Sequence, residues 1–292
     1  MKAQALVGRA RNSGDDCRRY MPVLFSFDSR AFFLEQVPND DWDEEARKEL
    51  AERRRRLREA VSAEFGITNG DQKFADFAAL GRSSFSIVAS HNDVVSDVRR
   101  AFVAGCYYSA LVGATALGER ILNDLVLRLR EDYPDDDATK YVTGKKSFND
   151  WDKMIKALLS WGVVSRDASH WCVELHKIRN NSVHYRSDRV LYARDMALRA
   201  MKLLDDIINH IFSPTGGRPI LIPGTAGRFF ISRAVESDPV VKHYFVPISV
   251  LVCPDHDFRA SLTDVWDEVD YAEINGLSSL TDKQFADRYS SR

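Results

Sequence analysis

The chain has almost no net charge: 41 lysines and arginines stand against 43 aspartates and glutamates, leaving a formal charge of -2 over 292 residues. That balance excludes a surface that coats nucleic acid everywhere, although it leaves room for a local RNA site. Cysteine is scarce. Cys17, Cys106, Cys172 and Cys253 lie far apart, form no CxxC pair and sit at no zinc-ligand spacing with histidine. A disulfide framework, a structural zinc or another bound metal or cofactor is therefore not expected, and a reducing, cytoplasmic setting is. No apolar run approaches the roughly 18 residues that would indicate a membrane span. Met1 to Ala10 lacks the long apolar core of a secretory signal. Phosphate-loop, dinucleotide-fingerprint, HExxH and GxSxG motifs are all missing. What is present is globular composition, 45% apolar and 29% charged.

Proline placement divides the chain. Residues 39–213 contain one proline, Pro134, whereas 214–254 contain Pro214, Pro219, Pro223, Pro239, Pro247 and Pro254. Proline breaks helix interiors, so the first stretch is open to helix and the second is not. The expected architecture is mainly α with a small α+β C-terminal part. It comprises a mixed N-terminal region over 1–85, an antiparallel helical bundle over 86–213, and a small β-rich region with terminal helices over 214–292.

In the first region Asp43 to Phe65 reads as a helix that Gly66 stops. It carries Arg53, Arg54, Arg55 and Arg56. Glu49 and Glu52 precede Arg53 and Arg56 by four, an order that favours helical ion pairs. Four adjacent arginines exceed two glutamates, which makes the run a weak candidate for phosphate contact. Otherwise it is a solvated helix face.

From Val98 to Arg130 apolar residues recur at Phe102, Cys106, Leu111, Ala114, Leu117, Ile121, Leu125 and Leu129, the pattern of one buried face of a long helix. Gly105, Gly113 and Gly118 lower helix propensity there and suggest close packing. Further helices are expected from Asp150 to Trp161, with Met154, Ile155, Leu158 and Leu159 inward, from Ala168 to Arg179, and from Asp188 to Phe212. Four helices with short links read as an up-and-down bundle. Beyond 214, the segments 220–222, 229–231 and 244–252 read as three strands of one sheet, with helices over 260–272 and 281–289.

The sharpest chemical feature is the segment from Glu174 to Tyr185, with Arg179, Asn180 and His184 at a helix junction. In a continuous helix Arg179 and His184 would point about 140° apart. Asn181 and Ser182 are poor interior residues, so a local break there is expected to bring both side chains to one opening.

Arg179-Asn180 followed by His184, ahead of the last helix of a bundle, resembles the signature of HEPN domains (higher eukaryotes and prokaryotes nucleotide-binding). The preceding helix from Tyr107 to Leu129, with Glu119-Arg120-Ile121-Leu122, is similar to the first HEPN helix. The resemblance covers roughly residues 95–213. It implies a metal-independent endoribonuclease whose homodimer lines one cleft with two arginine–histidine pairs. Arg179 and His184 match the catalytic pair, and Asn180 the intervening polar residue. The biological setting it implies is a toxin or effector of bacterial defence or stress response, with a possible antitoxin or regulatory partner. Glu119, His176 and Tyr185 are possible accessory residues.

The chemistry suits those residue types. A histidine exchanges protons near neutrality, as attack of a ribose 2′-OH on phosphorus requires. An arginine stays charged and grips phosphate through paired hydrogen bonds. Structural roles compete with this reading: Arg179 as an ion-pair partner of Glu174 or Asp188, Asn180 as a helix cap, His176 as a partly buried bundle residue, Glu119 as a surface charge and Tyr185 as a packing residue. A non-catalytic HEPN module that binds RNA, nucleotide or protein is the second functional reading. A sensor built on the proline-rich β region is the third.

Overall fold

The computed structural model describes residues 7–23, 28, 30–83, 89–144, 150–183, 193–213, 216–225, 227–260, 266–269 and 279–291. The fold is mainly helical. Contacts gather the chain into two units, residues 26–211 and residues 1–25 with 212–292. These borders differ from the three-part division expected from sequence. The cause is β1 (Arg19–Pro22), which pairs antiparallel with β2 (Ser249–Val252), so the N-terminal segment belongs with the C-terminal one. Long-range strand pairing leaves no local sequence signal.

The larger unit holds α1 (Phe32–Glu35), α2 (Glu44–Phe65), α3 (Gly70–Leu80), α4 (Ala89–Val103), α5 (Tyr107–Leu129), α6 (Trp151–Ser160), α7 (Arg166–Val183) and most of α8 (Ala193–Phe212). Helix α2 starts on Asp43, whose carboxylate accepts from Ala46 N–H, and ends at Gly66, which adopts φ 82°. The expected single helix from Val98 to Arg130 is two. Gly105, at φ 85°, donates its N–H to Phe102 O at 2.9 Å, and Cys106 donates to Ala101 O at 2.8 Å. Those two bonds are the Schellman pattern that terminates α4. Cys106 is consequently exposed and outside the core face. The same pattern closes α6, where Gly162 bonds Leu159 O and Val163 bonds Leu158 O. Leu159, expected inward, is exposed.

Helix α5 is the centre of the bundle and packs on α4, α6 and α7. Leu111, Ala114, Leu117, Ile121, Leu125 and Leu129 are all buried, as their spacing predicts. Its glycines set the distance to the neighbours. A Cβ on Gly113 would lie 2.7 Å from Val98 Cγ2, and one on Gly118 would lie 2.5 Å from Leu175 Cδ2. Leu175 is fully buried, so it cannot swing aside without disturbing α7. Gly118→Ala should therefore destabilise the protein by about 1–2 kcal/mol in urea titration, since overpacking outweighs the gain in helix propensity. A stabilised variant would show that α5 and α7 have slack.

One buried polar contact ties α3 to α5 and α8. The Asp76 carboxylate accepts from Gln72 Nε2 at 2.9 Å, Tyr107 OH at 2.7 Å and Arg194 Nε at 2.8 Å. In α4, His91 is 8% exposed. Burial drives its imidazole down to about 4 from an ordinary 6.5, against the pull of Asp124 and with a small push from Arg128. The unfolded chain takes up this proton below about pH 6.5, and the folded protein takes it up only near pH 4. Stability should accordingly fall by about 2–3 kcal/mol between pH 7 and pH 4.5 through this group alone. Urea titrations of His91→Gln at both pH values should show that much less acid loss than wild type, and equal loss would refute the assignment.

The smaller unit folds around Met21, Ile222, Phe230, Val250, Val252, Phe285 and Ala286. Two sequence expectations are corrected here. The three segments read as one sheet do not form it. Leu221 and Ile231 make an isolated bridge, residues 241–248 are helical turns, and only 249–252 is a strand. Val241, Tyr244 and Phe245 bury on one side of those turns, which explains an apolar run without a strand. The helix expected over 260–272 is absent among its described residues. β3 (Asp257–Ala260) pairs instead with β4 (Trp266–Val269). Helix α9 (Asp282–Ser290) falls where a helix over 281–289 is expected, and Thr281 and Gln284 start it with a reciprocal capping box.

Candidate active site

The bundle brings Glu119, His176, Arg179 and Asn180 together. His184 and Tyr185 lie outside the described residues, as do Ser187, Asp188 and Leu191. The break expected at Asn181 and Ser182 does not occur, because α7 continues to Val183. Ser182 is accommodated by donating its hydroxyl to Arg179 O at 2.9 Å. Arg179 and Asn180 are therefore helical residues one turn beyond His176.

Each contact follows from the helix geometry. Residues 176 and 180 are neighbours at i and i+4, and Asn180 Nδ2 lies 2.9 Å from His176 Nε2. Arg179 Nη1 donates to Asn180 Oδ1 at 3.3 Å. Its Nη2 lies 3.4 Å from Glu119 Oε2, across from α5. The close α5–α7 approach at Gly118 and Leu175 sets Glu119 opposite Arg179. Of the two ion pairs considered for Arg179, that with Glu174 is not made, and Asp188 lies outside the described residues. Glu174 bonds Lys177 at 2.7 Å and Arg199 at 2.8 Å. The Lys177 hydrogen bond, helped by the charges of Lys177, Arg199 and His170 and opposed by desolvation, holds the Glu174 carboxyl below its ordinary range.

Two residues of this cluster were not singled out from sequence. Trp151 and Asp152 open α6, after Asp150 caps it through Lys153 N–H. The Trp151 ring stacks on His176, with centroids 5.0 Å apart and planes 8° from parallel. Trp151 is buried and donates its indole N–H to Cys172 O at 3.2 Å. Asp152 Oδ1 lies 3.4 Å from His176 Nδ1. The only sequence signal was an aromatic at the start of a capped helix, which does not name its stacking partner. Cys172, one turn before His176, is no nucleophile: burial pushes its thiol up to about 12, so it stays protonated.

The cluster is half open. The Arg179 side chain is 37% exposed, that of His176 23% and that of Asp152 77%. A guanidinium is thus held from two sides with an edge toward solvent, beside an imidazole clamped by a buried indole.

The arginine run of α2 is engaged differently from the premise of excess charge. Arg53 pairs with Glu49 and lies over the Phe33 ring, Arg55 pairs with Glu52 and Glu59, and Arg56 with Glu52. Hydrogen bonds from Arg55 and then Arg56 drop the Glu52 carboxyl to about 2. Arg54 turns to the backbone carbonyls of Phe33 and Gln36. Glu59 and those carbonyls supply the partners that counting Glu49 and Glu52 alone left out.

No family model, curated protein or solved structure matches this chain.

Proposed function

We propose that the chain is a metal-independent endoribonuclease of HEPN type. The observation that carries this reading is the placement of Arg179 and Asn180, one turn past His176 on α7 and a few residues before His184, with Glu119 of α5 holding the guanidinium. In this mechanism Arg179 grips the scissile phosphate and stabilises the charge that develops on its oxygens. His184 exchanges the proton of the attacking 2′-OH or of the leaving 5′-oxygen. Asn180 orients Arg179. The products are a 2′,3′-cyclic phosphate and a 5′-OH. A homodimer would place two such sets in one cleft. The setting implied by the HEPN resemblance is a cytoplasmic toxin or effector of bacterial defence or stress response, restrained by an antitoxin or regulatory partner.

The test is incubation of purified protein with total cellular RNA in EDTA, with end-group analysis of the fragments. Cyclic-phosphate ends made by wild type, and lost in His184→Ala, support the reading. The second reading, a non-catalytic module that binds RNA or a partner, is favoured by the ion pair that already occupies Arg179. It would be supported by RNA retention without any cutting.

A further inference from the structure

We infer that His176 is a positioning residue that sets, through Asn180, whether Arg179 is held or released. The inference deepens the reading above, because it rests on Arg179 as the phosphate-binding group. It starts from donor and acceptor chemistry at the two ends of one chain of contacts. Arg179 can only donate, and its Nη1 lies 3.3 Å from the Asn180 side-chain oxygen. That fixes the amide, so Asn180 must turn its NH2 toward His176, 2.9 Å away. His176 Nε2 must then accept. Its proton sits on Nδ1, facing the Asp152 carboxylate, which can only accept. The chain runs in one direction from guanidinium to carboxylate, with no choice left at either middle residue.

Stacking against buried Trp151 keeps the imidazole in this plane. Among the described residues, the charged group against His176 is Asp152 from α6, and Arg179, three residues on along the same helix, is paired with Glu119 of α5. Lys177 is turned to Glu174.

Protonation of His176 reverses the polarity. Nε2 becomes a donor, so Asn180 must present its oxygen to it and its NH2 to Arg179. Two donors then face each other and Arg179 leaves Asn180. The guanidinium, off Asn180 and kept only by its long 3.4 Å contact with Glu119, and the new imidazolium together favour an anion in the cleft. Neutral His176 therefore holds Arg179 in place, and protonated His176 releases it toward phosphate.

The experiment uses the full chain. Long-range nitrogen–proton NMR of the histidines reads the tautomer of neutral His176, and side-chain amide spectra follow Asn180 through the same pH range. Fluorescence anisotropy with a 2′-O-methyl oligoribonucleotide, which cannot be cleaved through its 2′ position, reads phosphate binding at pH 8 and pH 6. The expected result is a proton on Nδ1 and an Asn180 amide signal that moves as His176 titrates. The affinity gain from pH 8 to pH 6 should exceed that of His176→Gln by about tenfold, the effect of one charge-assisted hydrogen bond. Gln accepts from Asn180 without titrating. A proton on Nε2, an Asn180 amide that ignores His176, or equal affinity gains would overturn the inference. The tautomer is read without RNA, so lack of cleavage by wild type would sink the ribonuclease reading and leave this measurement to decide the relay.

Discussion

Arg179→Ala is expected to lower RNA cleavage by about 10²–10³-fold, the usual cost of removing one donor aimed at charge that develops in a transition state. The same substitution should change stability by less than about 1 kcal/mol. Arg179 is more than one-third exposed, and its pair with Glu119 is long, at 3.4 Å. Exposed pairs of that kind contribute little. This separation gives the prediction its force, because lost activity in a folded protein cannot be blamed on the bundle. Arg179→Lys should recover only a small part of the rate, since an ammonium keeps the charge but not the planar two-pronged grip. The double variant with His184→Ala should be hardly worse than His184→Ala alone if both residues act in one step. Cleavage assays in EDTA, paired with thermal melts, check all three. Equal cutting by wild type and Arg179→Ala would remove this cluster from the mechanism.

The largest expected effect on stability lies in the smaller unit. Arg19 is completely buried, on β1, and directs Nε and Nη2 to the far end of the chain. Its Nε bonds Asp282 Oδ1 at 2.6 Å, Nη2 bonds Leu280 O at 2.6 Å and Nη1 bonds Arg18 O at 2.8 Å. The guanidinium lies 5.5 Å over the Phe285 ring. Asp282, on the first turn of α9, also accepts from Ser232 Oγ at 2.6 Å and from Arg233 N–H at 3.1 Å. Asp282→Ala would strand a buried cation and should cost about 3–5 kcal/mol. Arg19→Met should cost clearly less. It removes the charge and keeps an apolar chain against Phe285, while Asp282, 28% exposed, retains Ser232, Arg233 and solvent. The order is the diagnostic point, because simple loss of packing would weigh more at the fully buried Arg19 than at the partly exposed Asp282. Hydrogen exchange at the β1–β2 amides, with denaturant titration, reads both variants, and a milder effect from Asp282→Ala would refute the argument.

Local chemistry made much of the bundle legible. The apolar spacing of α5, the helix that Gly66 stops and the helix that starts at Asp150 are decided within a turn or two of chain, and each has a direct physical cause. The same kind of reasoning failed where two local rules competed. Gly105 was read as a packing glycine inside one helix, but its positive φ ends α4, and periodicity on either side concealed the join. Asn181 and Ser182 were read as a break, but a hydroxyl bonded back to Arg179 O lets α7 run on. The apolar run before 252 was read as strand, although burial on one side of a helical turn satisfies it equally well.

By itself, the sequence determined a mainly helical protein with a central amphipathic helix, a proline-rich segment beyond residue 213 and a polar patch at Arg179 and Asn180. Those features depend on neighbours within a few positions. Tertiary structure alone decided that β1 would close on β2 across more than two hundred residues, that Glu119 would face Arg179, and that Trp151 and Asp152 would clamp His176. The contacts at Arg179 and His176 arise from the packing of α5, α6 and α7 at the distance that Gly118 allows, and helical spacing within one segment carries no information about which side chain waits on the next.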